Sequence, residues 1–146
     1  MTKTLIYIVG ALVLLVGGFF AFNQYMYGQK QADGADASLT SKTWIWVAAL
    51  YNDGREILPQ EPQAFTLLFG TDGAFSATTD CNQMGGTYRL QGDQITFSDM
   101  FATKMFCEGS QEQAFTQLLA DTQSYHITSS ELVFDLKFDS GSVIFR

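Results

Sequence analysis

Eighteen consecutive residues, Leu5 to Phe22, carry no charge and no strongly polar side chain. A helix of that length reaches roughly 27 Å, close to the thickness of a bilayer's hydrocarbon core. Leu5, Ile6, Val9, Leu12, Leu15, Phe19 and Phe22 would form its lipid-facing body. Tyr25, Met26 and Tyr27 follow at once, as an interfacial aromatic belt would. The segment 5–27 therefore reads as a single transmembrane signal anchor behind a short flank, 1–4. A cleaved signal peptide, releasing a periplasmic form, is the alternative. Retention is favoured because the run exceeds an ordinary signal core of about 7–15 residues. It also ends in Phe19-Phe20-Ala21-Phe22, where a peptidase needs small residues. The absence of a cysteine beside the run excludes a lipid-modified terminus. Lys3 on one side and Lys30 on the other give only a slight charge bias, with the N-terminus read as cytoplasmic.

Residues 28–43 are small and polar, and read as a flexible spacer spanning roughly 20 Å. The remainder, 44–146, has room for one modest core. Its period is two, punctuated by turns. Trp44 to Tyr51 is a strand ended by Asn52-Asp53-Gly54. Phe65, Leu67 and Phe69 alternate up to Gly70-Thr71-Asp72-Gly73, and Ala74 to Thr78 returns. Tyr88 and Leu90 pass through Gly92-Asp93 into Ile95 and Phe97. Leu132, Phe134, Leu136 and Phe138 share one face before a turn at Asp139-Ser140-Gly141 and a last strand, Val143 to Phe145. Pro59 and Pro62 fall in a connection where a missing N–H costs nothing. One segment has helical spacing: Ala114, Phe115, Leu118 and Leu119 follow Ser110 and Gln113, which are placed as a capping box. The expected fold is α+β, a mostly antiparallel sheet curled into a small barrel-like domain with one helix, preceded by the transmembrane helix.

Only two cysteines occur, Cys81 and Cys107. In an extracytoplasmic domain such a pair is most simply a disulfide. Two buried thiols are the alternative. Cys81-Asn82, Gly86 and Tyr88 fit the pattern C-N-x-x-x-G-x-Y, and Thr103-x-Met105-x-Cys107 fits T-x-M-x-C. On these motifs the region from Trp44 to Arg146 resembles the META domain, the HslJ-like heat-shock family. One departure is Asp80, where that family usually has glycine; Asp tolerates unusual backbone angles better than most residues. The resemblance implies a small antiparallel barrel with a helix in the bacterial envelope, with links to heat shock, antibiotic tolerance and secretion, and brings no reaction. The motif residues read as architectural: Asn82 capping a tight turn, Gly86 allowing a crowded backbone, Tyr88 filling core, Thr103 and Met105 completing the second motif.

No catalytic or metal-binding constellation emerges. The formal charge of −7 argues against nucleic acid, which needs a basic face. His126 is the only histidine, on a predicted strand with no paired nucleophile. One histidine and two distant cysteines lack metal-ligand spacing. Asp80 and Asp99 could act as an acid–base pair only if the fold joined them. Asp72-Gly73 and Asp139-Ser140-Gly141 read as turns rather than calcium loops. Gly17-Gly18 would permit close helix packing or be simply tolerated in a membrane. The expected protein is thus a non-catalytic module of envelope stress or protein interaction. It would sit single-pass in a bacterial inner membrane, with its domain in the periplasm, no cofactor and an envelope protein as partner. An inhibitor of an envelope-directed hydrolase is one alternative, since a small acidic barrel suits cationic targets. A cysteine-dependent enzyme, with Cys81 or Cys107 reduced near His126, is the other.

Overall fold

The computed structural model describes residues 36–146. The anchor expected at 5–27 lies outside these residues, as does half of the spacer, 28–35. Among the described residues no helix is long and apolar enough to cross a membrane.

The alternating segments form nine antiparallel strands: β1 (Trp44–Tyr51), β2 (Glu56–Ile57), β3 (Thr66–Phe69), β4 (Ala74–Thr78), β5 (Gln83–Gln91), β6 (Gln94–Ala102), β7 (Thr122–Ile127), β8 (Leu132–Leu136) and β9 (Gly141–Phe145). Helix α1 (Glu112–Asp121) joins β6 to β7. Because β1 pairs with β3 on one side and β9 on the other, eight strands close into a barrel, and β2 adds a short flap to β1. Closure removes the exposed edges that an open sheet of this size would have to protect.

Register defines two ends. Trp44 pairs with Leu67, Leu67 with Ala77, Ala77 with Met84, and Met84 with Ala102. All neighbouring pairs are antiparallel, so β1, β4, β6 and β8 run toward one end, the cysteine end, which gathers the end of β1, the β4–β5 turn, the loop after β6 and the β8–β9 turn. The chain's approach to β1 and the β3–β4, β5–β6 and β7–β8 turns lie at the other, where Lys42 Nζ donates to the Ser130 carbonyl at 3.4 Å.

The inward side chains form an aromatic core. Trp46 meets Phe65 edge-on at 5.1 Å and Phe115 at 5.5 Å, and Phe134 lies 5.1 Å from Phe145. Removing each such ring from water stabilises the fold by about 1.5–3 kcal/mol. Strands β6 and β7 share a single register pair, Gln94 with Ser124, so the barrel wall parts there. Helix α1 packs at that parting, with Phe115, Leu118 and Leu119 buried. These are three residues of the stripe expected from sequence; Ala114 is half-buried.

Three expectations need correction. Leu39, inside the predicted 28–43 spacer, is fully buried in a one-turn 3-10 helix, Leu39–Ser41, and its carbonyl accepts the Trp44 indole N–H at 2.9 Å. The one large apolar side chain in that polar stretch finds the core, so the ordered domain starts before Trp44. The helix begins at Glu112 rather than Ser110. Ser110 Oγ accepts the Glu112 N–H at 3.1 Å, but Gln113 makes no return bond, so no capping box forms. Finally, Phe138 leaves the face it was expected to share: β8 ends at Leu136, and Phe138 is 94% exposed with φ 60°. A bulky side chain rarely adopts this left-handed conformation, which asparagine tolerates. Phe138→Asn is accordingly expected to stabilise the domain by about 1 kcal/mol, read as a higher urea midpoint. A lower midpoint would mean that the ring makes contacts which its exposure hides.

Candidate functional site

The motif residues converge on the β4–β5 turn at the cysteine end. Thr79 closes this turn: its N–H donates to the Asn82 carbonyl at 2.9 Å, and its hydroxyl accepts the Asn82 N–H at 2.8 Å. The turn-capping role expected of Asn82 thus belongs to Thr79. The Asn82 side chain, 6% exposed, turns instead toward the loop after β6. Its Oδ1 accepts the Thr103 hydroxyl at 2.7 Å and the Met105 N–H at 2.9 Å. Its Nδ2 donates to the Met105 carbonyl at 3.1 Å and to Glu112 Oε1 at 3.2 Å. All four hydrogen-bonding positions of the amide are filled, as a buried amide requires.

The neighbouring residues hold the same segment. The Thr79 hydroxyl donates to Glu112 Oε2 at 2.7 Å. Asp80 reaches the start of α1: Oδ1 accepts the Ser110 hydroxyl at 2.5 Å and Oδ2 accepts the Gln111 N–H at 2.8 Å. Cys81 is joined to Cys107 as a disulfide, with Cα atoms 5.8 Å apart. Four consecutive residues, Thr79 to Asn82, therefore each bind the segment between Thr103 and Glu112, with Thr79 and Asn82 sharing the Glu112 carboxylate. Asp80 shows no positive φ, so the backbone tolerance invoked for it from sequence is not what it supplies. It accepts the N–H of Gln111, the residue before the helix, whose own side chain makes no capping bond. Asp80→Ala is expected to destabilise the domain by about 1–2 kcal/mol through loss of this carboxylate at the helix N-terminus, measured by urea unfolding. An effect below a few tenths would place the helix's anchorage elsewhere.

Gly86 and Tyr88 stand apart from this cluster, in the barrel wall. A Cβ on Gly86 would lie 2.7 Å from the Ser98 carbonyl oxygen and 2.8 Å from the Phe75 ring, which explains glycine there by crowding. Tyr88 is buried, packs edge-on against Phe69 at 4.9 Å and donates its hydroxyl to the Gly70 carbonyl at 2.7 Å. Burial raises the pKa of this phenol above its ordinary value, with Asp72 adding to the effect. Met105 contributes through its backbone, while its side chain is exposed.

A model of the META domain matches residues 37–145. The chain belongs to the META domain family. Its fold is shared with solved structures of low identity. The NMR structure of a protein from Burkholderia xenovorans superimposes with a TM-score of 0.63 at 19% identity, covering 74% of this chain and 82% of that one. The crystal structure of a DUF4847 family protein from Bacteroides vulgatus gives a TM-score of 0.59 at 17% identity, covering 73% of this chain and 92% of the other. At such identities the likeness is one of fold alone. No curated protein matches the chain.

The other candidate residues of this META domain do not converge. His126 is exposed on β7, with Nδ1 3.7 Å from Asp135 Oδ2. Since Cys81 and Cys107 are bonded to each other, neither offers the free thiolate that a cysteine-dependent reaction needs. Asp80 is engaged with α1, whereas the Asp99 carboxylate accepts the Thr87 hydroxyl at 3.2 Å on the β5–β6 ladder, so the two are not brought together. The Asp72 side chain accepts the Ala74 N–H at 3.1 Å, as a turn residue does. Among the described residues no three His, Cys, Asp or Glu side chains gather as metal ligands. Two clefts among the described residues are wide open to solvent. One of about 510 Å³ lies beside Trp44 and Thr128, and one of about 390 Å³ between Met100 and Thr116.

Sequence reasoning missed Thr79 and Glu112, and misread Asp80. Their partners lie about 30 residues away in sequence, so no local pattern marks them.

Proposed function

We propose that the protein is a non-catalytic protein-interaction module of the HslJ-like kind. In this reading residues 5–27 anchor it to a bacterial inner membrane and hold the META domain in the periplasm, where it takes part in the response to envelope stress. The observation that carries the reading is the use of the motif's polar groups. Asn82, Thr79, Asp80, Ser110 and Glu112 satisfy one another, and the cysteines bridge, so the family's signature residues are occupied in holding a loop. Catalytic groups need the reverse: accessible nucleophiles, and perturbed acids or bases facing a cleft. The disulfide favours an oxidising compartment, and the apolar run a tether.

Two measurements test this. Alkaline extraction of membranes should leave the full chain in the pellet; release into the supernatant contradicts the anchor. Photo-crosslinking from exposed positions of the domain in intact cells should give one discrete protein adduct, and a chain that gives none under stress contradicts the interaction role.

A further inference from the structure

Asn82 and Thr79 do more than secure a loop, because they also fix the distance between β6 and α1. Asn82 Oδ1 holds Thr103, the residue that follows β6. Its Nδ2 and the Thr79 hydroxyl hold Glu112, the first residue of α1. Between these two elements lies the cleft of about 390 Å³, lined by Met84, Met100 and Ala102 of the sheet and by Glu112, Thr116 and Gln117 of the helix. Its width is set before anything enters it.

The sheet wall of this cleft is an unpaired strand edge. Strand β6 pairs with β7 only at Gln94 and Ser124, so from there to Ala102 it has β5 on one side and no strand on the other. The Thr103 N–H donates to the Gln83 carbonyl, on the β5 side, at 3.0 Å. In a trans peptide unit the N–H and C=O point in opposite directions, so the Ala102 carbonyl points away from β5, to the cleft side. Phe101 faces Gly85 in register, and the alternation of the ladder aims the Ala102 N–H and the Met100 carbonyl the same way. Among the described residues none of these three groups has a hydrogen-bond partner. Free N–H and C=O groups along the one parted seam of a closed barrel are a template for a further strand. Helix α1 forms the opposite wall, which leaves room for one extended chain and excludes a second barrel.

The surroundings set the chemistry of that chain. A strand in this gap has one face against Met84 and Met100 and the other in solvent, the setting in which apolar and polar residues alternate. The charge that it meets is acidic. Helix α1 carries Glu112 and Asp121 and no basic residue, and the partners of Glu112, Thr79 and Asn82, are neutral. We infer that the β6 edge binds an extended segment of a partner protein, alternating apolar with basic residues, which adds as a strand between β6 and α1. The inference rests on the interaction role proposed above and specifies the form of the partner.

The probe is a peptide as long as β6 that alternates valine with lysine, titrated into the full chain in detergent micelles and followed by amide NMR. Saturating peptide should slow hydrogen exchange of the Ala102 amide at least about tenfold, while the Phe101 amide, already turned to β5, is unchanged. The same peptide methylated at every backbone nitrogen, or carrying glutamate for lysine, should bind at least about tenfold more weakly. No added protection at Ala102, or equal binding of the methylated peptide, overturns the strand addition. Photo-crosslinking in intact cells separates this failure from failure of the interaction role. A photoreactive residue in place of Gln117, in the cleft wall, should give the adduct, and one in place of Arg89, exposed on β5, should not. An adduct from Arg89 with Gln117 silent overturns the cleft and leaves the interaction role standing. Silence from every exposed position overturns both.

Discussion

Asn82→Ala is expected to destabilise the META domain by about 4 kcal/mol, more than truncation of an ordinary polar residue of its size. The amide accepts from Thr103 and Met105 and donates to Met105 and Glu112, and it is almost fully buried. Truncation leaves the Met105 N–H and carbonyl without partners inside the protein, and each such buried group carries a penalty of about 1–3 kcal/mol. The remainder comes from the space left by the side chain and from loosening of the Glu112 carboxylate, which then rests on Thr79 alone. Urea unfolding of the full chain in detergent micelles gives the magnitude. Hydrogen exchange locates it: the Met105 amide should lose its protection early, while amides of β8 and β9 keep theirs. A loss of about 1 kcal/mol or less would mean that water replaces the amide and that the cluster is not the centre described here.

Loss of the disulfide is the second large effect. Joining Cys81 to Cys107, 26 residues apart, removes loop-closure freedom from the unfolded chain. In the chain-entropy account a loop of this size contributes about 3.5 kcal/mol. The double variant Cys81→Ser/Cys107→Ser should lose about that much, since the loop it closes contains β5, β6 and the turn between them. Alkylation provides an independent check. Neither cysteine should react in the absence of reductant, even in denaturant, and both should react after reduction. Reaction of either thiol in the untreated protein would remove the staple and reopen the reading of these residues as a reactive pair.

The barrel was largely legible because its strands obey a period of two, and the turns at Gly70–Gly73, Gly92-Asp93 and Asp139–Gly141 carry their own chemistry. The alternation fails where bulges interrupt it. Strand β5 begins at Gln83 and β6 runs on to Ala102, but Gly85 and Gly86 offer no side-chain signal and the register shifts between Gly85 and Thr87 opposite Asp99. Phe138 continues the alternation in sequence yet leaves the sheet, since the backbone turns left-handed there and no local residue forbids it. Leu39 shows the converse: one leucine among polar residues reads as spacer until the core supplies a place for it. The candidate site was legible as a set of motif residues and illegible as a mechanism. Cys81, Asn82, Thr103 and Met105 could be named in advance. That Asp80 caps a helix 31 residues away, and that Glu112 completes the amide's bonds, depends on the barrel bringing distant segments together.

The central claim is that Thr79 to Asn82 hold the Thr103–Glu112 segment as one unit. A double-mutant cycle tests it most directly, because residues acting on a shared element couple whereas independent ones add. Asn82→Ala is measured by urea unfolding in the parent chain and in the Cys81→Ser/Cys107→Ser background. If the amide and the disulfide secure the same loop, the second truncation should cost about 1.5 kcal/mol less than the first, for the loop is already partly released. Costs equal to within about 0.5 kcal/mol in the two backgrounds would contradict the shared grip and divide the motif into two unrelated supports.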